Sequence, residues 1–200
     1  MYLNPGEVKS TSCMASQHTV FSTRCLPFFD WQALGLTYSH ARVGAPGPIT
    51  RLLACDDDEA AAQSERLGGR VHRHPDYGLP EHNRVQEHYA AYNKPGGVLH
   101  WLTHAKPVER HVLVVESDML LRAPIDCEAL GVRPGIAASG EYDYLHGIYN
   151  GMARSFIKNL QQLQPVGGWY CLHRDDLARV APLWLELVRA YAVQLHRAPR

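Results

Sequence analysis

The sequence predicts an α/β fold on a largely parallel sheet. Three observations carry that expectation. Short β-branched or apolar runs alternate along the chain with stretches of helical periodicity. One of the runs, His111-Val-Leu-Val-Val115, is continuously apolar after its first residue, the pattern of a strand covered on both faces. Two of the runs end in acidic clusters, Asp56-Asp57-Asp58 and Glu116-Ser117-Asp118, at the carboxyl edge where open α/β sheets bind their ligands.

Met1 to Gln17 is polar and broken by Pro5 and Gly6, so it reads as a tail. It lacks the apolar stretch of a secretory signal, and no run approaches the ~20 residues a membrane-spanning helix needs. Taken as complete, the chain would be cytosolic. His18 to Thr23 is β-branched and reads as a strand. After Pro27, apolar residues at Phe28, Trp31, Leu34, Tyr38 and Ala41 recur at helical spacing, and Gly44-Ala-Pro-Gly-Pro48 stops that helix. Ile49 to Cys55 is a second strand, within which Arg51 is expected in a buried ion pair. Glu59 to Leu67 is rich in helix formers and stops at Gly68-Gly69.

Arg70 to Tyr77 has room for a short strand, and Gly78 to Glu87 is a polar loop. Asn93-Lys-Pro-Gly-Gly97 punctuates the middle, and Val98 to Ala105 reads as helix. Ile136 to Tyr144 is expected as a strand. Asp175 and Asp176 cap a last helix with the stripe Leu177, Val180, Trp184, Leu187, Tyr191 and Leu195. Pro182 either kinks that helix or marks its first turn. Trp31, Trp101 and Trp184 fall on helix faces and are assigned to the core. Residues 18–200 thus form one domain.

Composition narrows the function. Lys+Arg and Asp+Glu are both 20, so the net charge is zero with His neutral. That balance does not suit a nucleic-acid clamp or a polybasic membrane binder. Five scattered cysteines without C-x-x-C spacing give no zinc site and no evident disulfide framework, and read as small buried apolar residues. Among the 12 histidines, the pairs His72/His74 and His82/His88 lack i,i+4 spacing and are read as loop histidines. No P-loop, G-x-G-x-x-G or G-x-S-x-G is present, which removes support for kinase, dinucleotide and α/β-hydrolase readings.

The chemistry therefore rests on the acidic strand ends. In an extended chain, Glu116 and Asp118 point to the same side, so two carboxylates can converge on one cation. Oxygen-only ligands suit Mg²⁺ or Mn²⁺, ions that bridge to substrate phosphates. Asp56-Asp57-Asp58 matches Asp-x-Asp too, but a helix starts at once after it. The cluster is weighed mainly as a helix cap, with Asp56 left as a ligand-contacting candidate. Lys94 is placed either on a phosphate or in solvent. Gly167-Gly168 allows close backbone approach to a ligand or makes an ordinary turn. Glu141 and Asp143 are acidic candidates for a catalytic role, with surface carboxylates slightly favoured.

Six segments in order, His18-Thr-Val-Phe-Ser-Thr23, Phe29-Asp-Trp-Gln32, Gly47-Pro-Ile-Thr-Arg-Leu-Leu53, Asn93-Lys-Pro95 with Trp101-Leu102, Val112-Leu-Val-Val-Glu-Ser-Asp118 and Val166-Gly-Gly-Trp-Tyr170 with His173-Arg-Asp-Asp-Leu177, resemble the plant and algal peptidyl-serine α-galactosyltransferases and, more distantly, the hydroxyproline O-arabinosyltransferases. The resemblance covers about residues 18 to 195. It implies a GT-A glycosyltransferase domain, C-terminally shortened, with a nucleotide-sugar donor such as UDP-galactose. It further implies a serine- or hydroxyproline-rich protein acceptor such as an extensin, retention of configuration, Mn²⁺ or Mg²⁺, and work in the ER or Golgi lumen.

By the same resemblance, Glu116 and Asp118 match the Asp-x-Asp metal site, with Glu in place of the commoner first Asp. Ser22 and Thr23 match the nucleotide-facing strand end. Gly167 and Gly168 match the stretch near the donor sugar. Lys94, Ser117 and Asp56 are further donor-side candidates from their own chemistry and position, not from the resemblance. Two alternatives stay open: a non-catalytic nucleotide- or glycan-binding module, and a metal-dependent nucleotidyltransferase.

Overall fold

The computed structural model describes residues 16–83, 86, 88–142 and 154–197. Six strands form one sheet: β1 (Gln17–Arg24), β2 (Ile49–Ala54), β3 (Arg70–His74), β4 (His111–Val115), β5 (Ala138–Glu141) and β6 (Val166–His173). Among the described residues, four α-helices flank them: α1 (Pro27–Arg42), α2 (Asp58–Glu65), α3 (Asn93–His104) and α4 (Arg174–Arg197). The strand order is β3-β2-β1-β4-β6-β5. β1, β2, β3 and β4 run parallel, whereas β6 is antiparallel to both β4 and β5. The expected mixed, mostly parallel α/β sheet is therefore observed.

Alternating residues of the central strands feed two cores. On one face Phe21, Leu113 and Val115 pack with Ala33 and Leu36 of α1. On the other, Val20, Val112 and Val114 pack with Val98 and Trp101 of α3 and with Leu177 and Ala181 of α4. All five residues of β4 are buried, as a strand covered on both faces requires.

Several expectations need correction. Gly167-Gly168 lies within the strand Val166–His173 rather than in an ordinary turn, and of the stretch expected as a strand over 136–144, Ala138–Glu141 is one, with 143 and 144 outside the described residues. α3 begins at Asn93, with Pro95 in its first turn, where the missing N–H costs no bond. Gly96 and Gly97 follow inside the helix because the Tyr77 and His74 rings occupy the space a Cβ would fill. Pro182 lies inside α4. Trp101 is buried and Trp184 packs on the core, but Trp31 is 61% exposed. His72 and His74 sit on β3, not in a loop.

The cysteines are the largest departure. Cys25 is bonded to Cys55 and Cys127 to Cys171. The parallel register pairs Arg24 with Ala54, which leaves Cys25 and Cys55 side by side just past the strand ends. Register between distant strands, invisible in the spacing of cysteines, makes the pair. Of the expected tail Met1–Gln17, only Ser16 and Gln17 are described, and Gln17 opens β1; Asp143 likewise lies outside the described residues.

Candidate functional site

The strand order reverses direction between β1 and β4, and chains that depart to opposite sides leave a crevice at such a point. Phe21 is paired with Val115, so Ser22-Thr23-Arg24 and Glu116-Ser117 emerge beside one another at the carboxyl edge. A cleft of about 400 Å³ opens there, lined by Ser22, Thr23, Arg24, Lys94, Glu116 and Ser117, with Phe29 and Asn93. Tyr170 and Trp184 close one side, their rings edge-on with centroids 6.3 Å apart.

Most of the polar groups are held from behind. Arg51 is buried in the ion pair expected for it, 2.8 Å from Asp30 Oδ1, and its Nε donates to the Thr23 hydroxyl at 2.7 Å. Ser117 donates to Gln32 Oε1 of α1 at 2.9 Å. The buried Asp76 carboxylate gathers Arg24 Nε at 2.7 Å, Asn93 Nδ2 at 2.7 Å and the Gly78 amide at 3.0 Å. Lys94 donates from the first turn of α3 to Glu116 Oε1. The Glu116 amide in turn donates to the Gly168 carbonyl at 3.0 Å. Gly168 has φ +73°, and the Tyr142 phenol occupies the place of its missing side chain. Burial, then the Glu116 charge, pushes the Tyr170 phenol above its ordinary value, so it remains a neutral donor at physiological pH.

The residues singled out in the sequence thus divide. Ser22, Thr23, Lys94, Glu116 and Ser117 meet in the cleft, and Gly168 is bonded to Glu116. Gly167 lies on β6, paired with Gly140 of β5. Asp118 is exposed on the turn closed by the Met119 amide on the Glu116 carbonyl. Asp56 pairs with His82 at 3.1 Å and accepts from the Asp76 amide. Asp57, not Asp58, is the N-cap of α2, accepting from the Ala60 amide at 2.9 Å. Glu141 ends β5, exposed.

Arg24, Asn93, Asp76, Tyr170 and Trp184 were missed. Asn93 adjoins Lys94 in the sequence, but nothing in the spacing of Arg24, Asp76 and Asn93 shows that one buried carboxylate joins them.

Such a sheet, with a polar cleft and an acidic turn at its switch point, defines the GT-A glycosyltransferase class of fold. The chain superposes on glucosyl-3-phosphoglycerate synthase from Mycobacterium tuberculosis, solved with Mn²⁺, UDP and glucosyl-3-phosphoglycerate, with TM-score 0.52 and 17% identity over 88% of this chain and 64% of that one. It superposes likewise on the galactosyltransferase LgtC, solved with donor and acceptor sugar analogues, with TM-score 0.51 and 12% identity over 81% of this chain and 59% of that one.

The chain belongs to the hydroxyproline O-arabinosyltransferase family, whose N-terminal domain profile matches residues 17–197. It is 39% identical over 173 residues to the peptidyl serine alpha-galactosyltransferase of Arabidopsis thaliana, and 33% identical over 181 residues to that of Chlamydomonas reinhardtii. Each match takes in 84% of this chain but only 21% and 24% of those relatives' lengths.

Proposed function

We propose that this domain is the donor-binding part of a glycosyltransferase that moves galactose from UDP-galactose to a serine or hydroxyproline of a proline-rich protein. The observation that carries the reading is the meeting of Ser22, Thr23, Lys94, Glu116 and Ser117 in one cleft at the β1/β4 switch point. The names of the family and of the two relatives supply the sugar and the acceptor.

The residues present fit a divalent ion. Glu116 already faces a cationic group, the Lys94 ammonium, and Asp118 stands two residues on along the same turn. No group of three or more His, Cys, Asp or Glu side chains that could hold a metal comes together among the described residues. Two carboxylates without nitrogen or sulfur suit Mn²⁺ or Mg²⁺, which take their remaining ligands from water and phosphate. Asp118 and Glu116 would hold such an ion, which would supply charge stabilisation for the departing diphosphate.

The chain's own groups do the rest. Lys94 transfers from Glu116 to a phosphate oxygen and balances charge as the bond from the anomeric carbon to that oxygen breaks. Ser22 and Thr23 hold the nucleotide at the end of β1. Tyr170 and Trp184 wall the cleft and restrict water. The acceptor hydroxyl attacks the face the diphosphate leaves, and its proton passes to the departing phosphate oxygen. That front-face course retains configuration without an enzyme nucleophile; Glu141, exposed on an edge strand, is the remaining described carboxylate candidate for one.

The two disulfides support maturation in an oxidising compartment, and therefore the ER or Golgi lumen. No helix among the described residues is long and apolar enough to cross a membrane. UDP is expected to raise the melting temperature in Mn²⁺ and hardly at all in EDTA. Saturation a hundredfold over Kd adds about 2.7 kcal/mol, and equal shifts with and without metal would overturn the metal-assisted reading.

A further inference from the structure

α1 presents an aromatic face to solvent. Phe28, Trp31 and Tyr38 are 59%, 61% and 70% exposed, an unusual cost for three rings on one helix. At i, i+3 and i+10 they fall on one stripe. Gly35 lies between Trp31 and Tyr38 on the same stripe. The exposed Leu120 side chain covers it, its Cδ2 3.2 Å from where a Gly35 Cβ would stand, so apolar surface continues between the two rings.

The stripe is continuous with the cleft. Phe28 packs edge-on against Phe29, a cleft residue, with centroids 5.2 Å apart. Leu120 lies two residues beyond Asp118. The stripe carries no charge until Arg42, which disfavours an anionic lipid surface, since that requires clustered cations.

We propose that this face of α1 docks the acceptor polypeptide as a proline-rich segment in the polyproline II conformation, with prolyl rings seated on Trp31 and Tyr38 and against the Leu120 side chain between them. This rests on the proposed transferase function and deepens it. Polyproline II segments are extended, uncharged and preformed, and aromatic-lined grooves recognise them because little conformational entropy is lost on binding. A face that begins beside the acidic turn and runs away from it would hold the flanking residues while one hydroxyl reaches the donor.

The test measures anisotropy of a labelled ten-residue proline-rich peptide carrying one serine, with a Gly/Ser peptide of equal length as reference. Saturable binding of the proline-rich peptide alone is expected. Trp31→Ala and Tyr38→Ala should each weaken it at least tenfold, whereas Leu183→Ala, at an exposed apolar position on α4, should not. The UDP-dependent melting shift in Mn²⁺ should persist in every variant. Three results would each overturn the proposal: no peptide binding, equal binding of both peptides, or binding indifferent to Trp31 and Tyr38. Capture of the protein by phosphatidylcholine vesicles, lost in Trp31→Ala while the peptide stays unbound, would assign the face to a membrane instead. Peptide binding that follows the stripe in a protein showing no UDP shift would leave the docking face standing and overturn the donor-site reading alone.

Discussion

The Lys94 ammonium is bonded to the Glu116 carboxylate, joining the first turn of α3 to the end of β4 across 22 residues of sequence. Each group satisfies the other until a ligand arrives with both charges. An ion and a diphosphate together offer each partner a replacement, so binding one without the other leaves a charge poorly matched. Lys94→Met should therefore change folding stability by less than about 1 kcal/mol, the ordinary worth of a partly exposed pair. It should weaken UDP binding in Mn²⁺ by tenfold or more, read by titration calorimetry. Unchanged nucleotide affinity would remove Lys94 from the donor site.

The two acidic clusters should separate by function. Asp118→Asn is expected to abolish Mn²⁺-dependent UDP binding with the melting temperature unaltered, because an exposed turn carboxylate contributes little to folding. Asp57→Ala should lower stability by about 1 kcal/mol through loss of the cap on the Ala60 amide, with the binding isotherm unchanged. Asp58→Asn should leave the isotherm unchanged and do less to stability, since Asp58 pairs at the surface with Arg73. A reversed pattern would move the metal site to β2.

Val114→Asp tests the sheet. Val114 is buried between β1 and β6, against the core shared with α3 and α4. An unpaired charge there should cost about 3 kcal/mol or more, read from urea unfolding. A wild-type denaturation midpoint would be incompatible with a central β4.

A histidine cluster sets the acid limit. His72 on β3 bonds His100 of α3 at 2.8 Å, His100 stacks on His104, and His74 stacks on Tyr77 beside Asp76. Burial, then His100, lowers His72 to about 4, and burial lowers His74 to about 4. Both folded values lie below the unfolded value near 6.5, so the unfolded chain takes up more protons between those limits. Their contribution is fully present above about pH 6.5 and is lost progressively as pH falls toward 4. The melting temperature should drop from pH 7 to pH 5, and His72→Gln should shrink that drop. A melting temperature independent of pH over that interval would contradict the assignment.

Local patterns carried much of the fold. β1, β2, β4 and α4 have composition and periodicity that tertiary packing merely accepts, and the acidic turn after β4 stands out because the strand before it is apolar. β6 was hidden because Gly167-Gly168 is turn chemistry by every local rule. It serves in a strand because Tyr142 fills the place of one side chain. Trp31 was assigned to the core because helical spacing shows that residues share a face, not which face is inward. The Asp76 hub and both disulfides depend on register between strands far apart in sequence, to which no window of neighbouring residues is sensitive.

The segment from Glu116 to Cys127 is pinned at both ends. β4 and the Gly168 carbonyl hold its start. The Cys127–Cys171 bond holds its finish, together with the Gln17 amide, which accepts from the Cys127 N–H at 2.8 Å and donates to the Ile125 carbonyl at 2.9 Å. With its ends fixed, such a stretch can gain or lose residues beyond Met119 at small entropic cost and without shifting Glu116. Leu120 is among the residues such changes would replace. Anchored in this way, the loop after Glu116 is a span between two fixed piers: its interior can change while the carboxylate at the mouth of the cleft keeps its place.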